Sequence, residues 1–312
     1  MPLPIVAITA GDPAGIGPEV TIKALKEPSV YKLCRPVVVG SAGMGLALRA
    51  ISRRFPVQFV EVLPQGKTKF VPGIESAGTG AASFEYILTA VGLIKSKRAR
   101  ALVTAPISKA AFHMAGKKYS GHTELLAELT KTKNYAMMMA AQNLRAVMVT
   151  RHLPVSDVPS SLNADNIIRA CLLADDFLKK YFRFRKPRLG VCALNPHAGE
   201  GGHLGGEENI IILPAVKRLV KRGLSAQGPL PNDSAWLKMK NGLFDLLVCM
   251  YHDQVMTPLK CLAAEKIVNI TLGLPFVRTS PGHGTAFDIA GRNIADESSM
   301  IEAIKTAALL AR

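Results

Sequence analysis

The sequence predicts an α/β protein whose strands alternate with helices. Short apolar runs end in turns rich in small residues, and segments with the apolar spacing of a helix follow. Alternation of this kind is typical of a mostly parallel sheet with helices on both faces. The composition agrees, since 48% of the 312 residues are hydrophobic and only 6% are aromatic. A chain of this length forms one large or two moderate domains.

The predicted elements follow one another along the chain with short connections. Apolar runs predict strands at 3–10, 37–40, 101–104, 146–149, 189–194 and 244–250. Helical periodicity predicts helices at 19–26, 77–95, 124–130, 165–181, 207–222 and 297–310, with another that runs through Arg49. Because no long linker separates these elements, a domain boundary must lie within a short loop, and the chain can cross between domains twice.

The net charge of +16 is large and permits two classes of partner. It could mark a nucleic-acid-binding protein, or it could attract phosphorylated substrates and cofactors. The basic residues are spread over several predicted helices, at 95–98, 179–186 and 217–222. We therefore expect dispersed surface charge and no nucleic-acid partner, and keep a nucleic-acid-binding protein as the alternative from another class.

Three observations bear on location. No stretch of 18 or more apolar residues lacks a charge, so no membrane association is expected. The chain begins without a basic leader ahead of its first apolar run, which argues against a signal peptide. The cysteines are odd in number and scattered, at positions 34, 171, 192, 249 and 261. We expect reduced core thiols in a cytoplasmic protein.

Three histidines each follow an apolar run that predicts a strand. They are His152, His197 and His252, and they lie too far apart in sequence for a local zinc-finger site. In α/β proteins, the ends of parallel strands meet at one crevice, where ligands bind. Three neutral imidazoles there would form an open metal site with room for a water or a substrate oxygen. The alternative for each of them is an ordinary loop histidine.

The first predicted turn is rich in glycine and precedes a helix. Its sequence at 11–19, GDPAGIGPE, matches neither the dinucleotide fingerprint nor the Walker loop. It could present backbone N–H groups to an anion, or it could be a tight strand-to-helix turn that needs small residues. Both interpretations stay open at this point.

A second candidate for anion binding is the start of the helix at GHTE, residues 121–124. Thr123 is the predicted N-cap, and the free N–H groups of the first turn could bind a carboxylate or a phosphate. His122 would add a further donor. The alternative is plain helix capping.

The segment from residue 260 to residue 291 carries the remaining candidates. Lys260, Asn269 and Arg278 recur at intervals of nine residues. A lysine, an amide and an arginine around one pocket would bind a phosphate and a carboxylate. The loop at 280–291 is rich in small residues, so the adenosine of a cofactor could lie against its backbone, with Asp288 accepting from hydroxyls.

Seven motifs in this order resemble the 4-hydroxythreonine-4-phosphate dehydrogenase family of pyridoxal phosphate biosynthesis. They are GDPAGIGPE at 11–19, TAPISK at 104–109, GHTE at 121–124, LNPHAGEGG at 194–202, GPLPND at 228–233, YHDQ at 251–254 and NITLGLP at 269–275. The resemblance covers nearly the whole chain. It implies two α/β/α domains similar to those of isocitrate and isopropylmalate dehydrogenases, and not a Rossmann fold. We expect residues 1–125 with 280–312 in the first domain and 126–279 in the second.

The resemblance also implies the residues of the site. Metal ligands are expected at His152, His197 and His252, at the interface of a homodimer. Substrate-binding residues are expected at His122, Thr123, Lys260, Asn269 and Arg278. The cofactor would lie against His283, Gly284, Thr285, Ala286 and Asp288. Apart from the resemblance, the proton released in an oxidation needs an acceptor, and Lys260 or Asp233 could relay it, with the sequence favouring neither.

The reaction implied is the oxidation of 4-phosphohydroxy-L-threonine to 2-amino-3-oxo-4-phosphooxybutanoate, which decarboxylates to 3-amino-2-oxopropyl phosphate. Hydride would pass to NAD or NADP, with one divalent metal per site as a Lewis acid. Zinc, magnesium and cobalt are the candidate ions, and three imidazoles suit zinc or cobalt.

Two alternatives to this enzyme stay open. The first is a D-threonate or D-erythronate 4-phosphate dehydrogenase of the same family, because that group shares the histidines and the phosphate-binding residues. Residues 261–268, CLAAEKIV, also depart from the aromatic and glycine residues of many members, which bears on the shape of the substrate wall. The second is a non-redox acyltransferase of related architecture, which needs no histidine cluster.

Overall fold

The computed structural model describes residues 2–63 and 70–312. These residues divide into two compact units, which are Met1–Thr132 with Leu274–Arg312, and Lys133–Gly273. The chain therefore leaves the first unit once and returns to it once. The first unit ends seven residues after the predicted 125 and resumes six residues before the predicted 280. Arg278, which was predicted in the second domain, therefore belongs to the first unit.

The described residues contain the following elements in chain order. The strands are β1 (Ile5–Thr9), β2 (Arg35–Gly40), β3 (Gln58–Glu61), β4 (Ala101–Thr104), β5 (Ala136–Ala141), β6 (Leu144–Met148), β7 (Arg188–Cys192), β8 (Ser225–Leu230), β9 (Leu246–Cys249), β10 (Val268–Leu272) and β11 (Val277–Pro281). The α-helices are α1 (Gly17–Ala24), α2 (Pro28–Tyr31), α3 (Gly45–Ser52), α4 (Ala77–Lys95), α5 (Lys109–Met114), α6 (His122–Leu129), α7 (Val158–Ser161), α8 (Ala164–Tyr181), α9 (Leu213–Lys221), α10 (Asn232–Lys240), α11 (Asp253–Ala263) and α12 (Ser298–Leu310). The predicted α/β class is confirmed.

The first unit contains a parallel sheet. Its strand order is β3-β2-β1-β4-β11, and each of these neighbouring pairs runs parallel. Strand β4 is buried along its whole length, and β1 along all but its first residue. Helices α4 and α12 pack against this sheet. Burial of both faces explains why these strands are continuous apolar runs instead of alternating ones.

Helix α4 is long and apolar enough, by length and composition, to cross a membrane. Half of the tested stretch is buried inside the structure. The helix begins with a capping box, in which Ser76 Oγ accepts from the Thr79 N–H and Thr79 Oγ1 accepts from the Ser76 N–H. These features are those of a core helix that covers a sheet.

The second unit contains a mixed sheet with the strand order β10-β5-β6-β9-β7-β8. Strand β5 runs antiparallel to both of its neighbours, whereas β6, β9, β7 and β8 are parallel. A mostly parallel sheet was predicted, and β5 is the exception. It is joined to β6 by only Gln142 and Asn143. A two-residue connection can join only antiparallel strands.

Candidate active site

Two of the three predicted metal ligands lie close together in the second unit. Strands β6 and β9 are parallel neighbours, and their ladder continues past Met148 through the Val149 and Thr150 N–H groups, which donate to the Cys249 and Met250 carbonyls. Both strands therefore end at the same edge. The ring centroids of His152 and His252, which follow those ends, are 5.5 Å apart. The two imidazoles can reach one small ligand.

The ring of His252 is oriented by the next residue. His252 Nδ1 lies 2.7 Å from the Asp253 Oδ1 atom. A carboxylate in this position favours the tautomer with the proton on Nδ1, which leaves the Nε2 lone pair for a metal. The pair is partly exposed, with 39% of the His252 side chain open to solvent. The arrangement of imidazole and carboxylate fits a divalent ion.

The third predicted ligand, His197, lies apart from this pair. It follows β7, the strand next to β9, and its side chain is exposed. In the part of the chain that the structure describes, no three His, Cys, Asp or Glu side chains come together as a potential metal site. One chain thus brings His152 and His252 together without His197.

Gln254 joins the ends of β9 and β7 and was not singled out from the sequence. Its buried side chain accepts from the Met250 N–H and donates to the Ala193 carbonyl, with both distances 2.8 Å. The segments that carry His252 and His197 are therefore fixed to each other where they leave β9 and β7. The signal that could have identified it is an amide placed within YHDQ, directly after an apolar strand.

Arg278 is the main anion-binding candidate of the first unit. It lies on β11, only 2% of it is exposed, and its Nη2 and Nε atoms donate to Thr104 Oγ1 at 2.6 and 3.2 Å. Burial lowers the pKa of Arg278 to about 10, although the charge of Glu124 opposes this shift. The guanidinium therefore remains a cation at neutral pH, and a buried cation attracts an anionic ligand.

His122 begins α6 in the same unit. Its Nε2 atom is buried and has no hydrogen-bond partner among the described residues. Burial and the charge of Arg278 hold the pKa of His122 well below its usual value. The imidazole is therefore neutral at physiological pH, and its unpartnered nitrogen is available to a ligand.

The prediction that Thr123 caps α6 is wrong. The N-cap is Gly121, the helix begins at His122, and the Thr123 side chain is buried in the first turn. Glycine is accepted at an N-cap with little loss of stability, so Gly121 can take that place instead of Thr123. The N–H groups of this first turn have no partner within the helix, so they are available to an anion.

The remaining predicted substrate residues lie in the second unit. Asn269 is on β10, and its Oδ1 atom is buried without a partner among the described residues. Lys260 is exposed on α11. Asp233 is exposed in the first turn of α10, where its Oδ1 atom accepts from the Ser234 N–H. The Asn269 Oδ1 atom is therefore a hydrogen-bond acceptor that a ligand could use.

The glycine-rich turn at 11–17 packs against the loop predicted to hold the cofactor. Gly11 has a φ of +74°, and a Cβ atom there would lie 2.3 Å from the Pro106 carbonyl oxygen, so a side chain is excluded. The buried Asp12 carboxylate accepts from the Ala14 N–H and the Thr79 hydroxyl. The Ile16 N–H donates to the Thr285 carbonyl, so at least this donor is used within the chain.

The loop at 283–289 is followed by residues whose backbone is fixed, and it contains one buried nitrogen without a hydrogen-bond partner among the described residues. Beyond its carboxyl end, Lys23 donates to the Asn293 and Ala295 carbonyls, and Glu19 accepts from the Ala295 N–H. The His283 Nε2 atom is buried and lacks a partner among the described residues. Gly284 and Asp288 are exposed. A fixed loop of small residues with an unpartnered nitrogen fits a nucleotide cofactor.

Comparison with known proteins gives consistent results. A family model described as pyridoxal phosphate biosynthetic protein PdxA matches residues 32–307. The chain is 43% identical to a 4-hydroxythreonine-4-phosphate dehydrogenase of Desulforapulum autotrophicum, over 99% of this chain and 96% of that protein. It is also 43% identical to a D-threonate 4-phosphate dehydrogenase of Cupriavidus necator, over 99% and 98%. The crystal structure of a 4-hydroxythreonine-4-phosphate dehydrogenase from Klebsiella pneumoniae is similar, with a TM-score of 0.90 and 37% identity over 99% and 100% of the two chains.

Proposed function

Since this chain belongs to the PdxA family of pyridoxal phosphate biosynthetic proteins, we propose that it oxidises 4-phosphohydroxy-L-threonine with NAD or NADP and a divalent metal. The family contains dehydrogenases of 4-hydroxythreonine-4-phosphate and of D-threonate 4-phosphate. Both substrates are four-carbon acids with a phosphate and an oxidisable hydroxyl. The observation that carries the proposal is the buried Arg278 cation beside the unpartnered nitrogen of His122.

The first unit supplies groups that bind an anion. Arg278 is fixed by Thr104, so its guanidinium is oriented before the substrate binds. Neutral His122 and the N–H groups at the start of α6 add hydrogen-bond donors. A guanidinium with neighbouring N–H donors matches the geometry of a phosphate or a carboxylate. Lys260 and Asn269 are proposed as further substrate-binding residues.

The second unit supplies the metal ligands. His152 and His252 would bind the ion from one chain, and exposed His197 of a second copy would complete the set in a homodimer. This assignment is supported by the separation of His197 from the pair within one chain. A divalent ion bound there supplies Lewis-acid polarisation of the substrate's oxygen. Zinc, magnesium and cobalt are the candidates.

The protein also has to accept a proton from the hydroxyl that is oxidised. The side chains of Lys260 and Asp233 are both exposed to solvent. We propose that one of them passes the proton from the hydroxyl to water. His122 is kept neutral by its surroundings, so it serves as a hydrogen-bonding group.

NAD or NADP would bind along residues 283–289, with Asp288 accepting from ribose hydroxyls. The five cysteines are free thiols, and this supports the proposal of a cytoplasmic location.

A second candidate is the oxidation of D-threonate 4-phosphate, or of its epimer D-erythronate 4-phosphate. It is favoured by the equal identity of the chain to the Cupriavidus necator enzyme and to the Desulforapulum autotrophicum enzyme. The threonine and threonate substrates differ at carbon 2, which carries an ammonium group in one and a hydroxyl in the other. Residues 261–268 depart from the common family pattern and are a candidate source of this specificity.

The test is an assay of NADH or NADPH formation at 340 nm with all three phosphorylated substrates, with and without added divalent ion. We expect the highest kcat/KM with 4-phosphohydroxy-L-threonine and loss of turnover after chelation. A higher kcat/KM for a sugar-acid phosphate would establish the second candidate instead. Absence of turnover with all three, or turnover that survives complete chelation, would overturn the proposal.

A further inference from the structure

His197 lies in an unusual backbone segment. Five consecutive residues, from His197 to Gly201, have φ between +44° and +76°. Three of them, His197, Ala198 and Glu200, carry a Cβ atom, and such residues rarely adopt left-handed backbone because the Cβ approaches the following carbonyl. A run of this kind persists only where its surroundings fix it, and it is typical of functional sites.

The side chain of Glu208 is what fixes this segment. Its Oε1 atom accepts from the Leu194 and Asn195 N–H groups at 2.9 and 2.8 Å. Its Oε2 atom accepts from Asn195 Nδ2 at 3.0 Å. Only 2% of Glu208 is exposed. Three donors of Leu194 and Asn195, which precede His197 by three and two residues, thus converge on one buried carboxylate.

The same carboxylate also determines which residue can occupy the turn. A Cβ atom at Gly199 would lie 2.7 Å from the Glu208 Oε2 atom, and Gly199 has a φ of +76°. The residue after Glu208 contributes a further bond, because Asn209 Nδ2 donates to the Gly201 carbonyl. Glu208 and Asn209 belong to one π-helical turn, Glu208–Ile212, and π turns occur frequently at functional sites.

We infer that Glu208 is a positioning residue, which holds the left-handed His197 segment in the conformation that binds the metal. The inference rests on the proposed function, because it takes His197 to be a metal ligand. A carboxylate is required, since it can accept all three N–H donors. The amide of a glutamine would turn a donor towards either the backbone N–H groups or Asn195.

The experiment compares Glu208→Gln with Glu207→Gln. Glu207 is the matched control, because it is adjacent, accepts from Asn195 Nδ2 alone among its described hydrogen bonds, and is not fully buried. Binding of Co²⁺ to the metal-free full-length protein is measured by calorimetry, and amide hydrogen exchange of residues 194–204 is measured without metal. We expect Glu208→Gln to weaken Co²⁺ binding by about tenfold or more and to accelerate exchange in this segment. Glu207→Gln should leave both near the wild type.

Two further results decide the remaining cases. Should Glu208→Gln fail to fold, Gly199→Ala tests the same contact from the other side, and we expect it to weaken Co²⁺ binding and accelerate exchange in the same way. Wild-type protein that binds no Co²⁺ would refute the proposed metal site and, with it, a role of Glu208 in metal binding. The exchange data would then test only whether Glu208 fixes the conformation of residues 194–204. Unchanged exchange together with unchanged Co²⁺ affinity in the folded variants would overturn the inference.

Discussion

The imidazole rings of His152 and His252 have centroids 5.5 Å apart and an interplanar angle of 48°. The two residues are distant in sequence, and they meet because β6 and β9 are parallel neighbours that end at the same edge. This separation, together with the contact between Asp253 and His252, supports the proposed metal site.

Replacement of His252 by alanine should remove the metal. The variant loses one imidazole ligand and leaves Asp253 without its partner, so we expect substoichiometric metal after purification and a fall in kcat of about 100-fold or more. Elemental analysis and the 340 nm assay measure the two effects. His113→Ala is the control, because His113 is exposed on α5 in the other unit. Equal metal content in His252→Ala and wild type would argue against the site.

Replacement of Arg278 by methionine should weaken substrate binding. The change keeps an apolar stem of similar length but removes the cation and leaves Thr104 Oγ1 without its donor. Loss of a buried, hydrogen-bonded charge costs about 2 kcal/mol or more, which corresponds to about a 30-fold lower kcat/KM. Steady-state kinetics measure this, with the exposed Arg100→Met as control. Unaltered kcat/KM in Arg278→Met would exclude a role in anion binding.

Protein stability should fall at mildly acidic pH because of His122. Its pKa in the folded state is well below 6.5, whereas the unfolded chain binds a proton near 6.5. The unfolded state therefore binds more protons as the pH falls below 6.5, and this residue destabilises the fold progressively, by up to about 1.4 kcal/mol per pH unit. Urea unfolding at several pH values between 7.5 and 5.5 measures this slope. We expect a smaller slope in His122→Asn, and an identical slope in both proteins would contradict the assignment.

Replacement of Gln254 by alanine should destabilise the second unit. The Met250 N–H and the Ala193 carbonyl would lose their buried partner. Each unsatisfied group costs about 1–3 kcal/mol, so we expect the free energy of unfolding to fall by about 2 kcal/mol or more. Gln227→Ala, on the exposed side of β8, serves as the matched control. A denaturant midpoint shared by the two variants would show that Gln254 does not join the strand ends.

Local sequence patterns predicted much of the fold. The apolar runs before the three histidines became β6, β7 and β9, because buried parallel strands require continuous apolar residues. The predicted helices at 77–95, 165–181 and 297–310 agree with α4, α8 and α12 to within one residue at each end. The α/β class and the common edge of His152 and His252 were therefore accessible from the sequence.

The remaining features depend on contacts between distant residues. The left-handed backbone at His197 and Ala198 opposes the local preference of those residues, and it is fixed by Glu208, which follows eleven residues later. The bond from Gln254 to Ala193 spans 61 positions. No periodicity or spacing encodes such side-chain-to-backbone bonds. The Thr123 cap was wrong for a related reason, since burial of that side chain and not capping preference decides its place.

The proposed metal site, with His152 and His252 from one copy of the chain and His197 from a second copy, can be tested by mixing two variants. His197→Ala keeps His152 and His252, whereas His252→Ala keeps His197, so a mixed dimer has one complete set of ligands at one of its two sites. Two differently tagged variants are co-expressed, the mixed dimer is purified, and its metal content and NAD(P)H formation are measured. We expect each homodimer to be inactive and the mixed dimer to recover about half of the wild-type activity, with one metal per dimer. A mixed dimer that stays as inactive and metal-free as the two parents would contradict a metal site shared between copies.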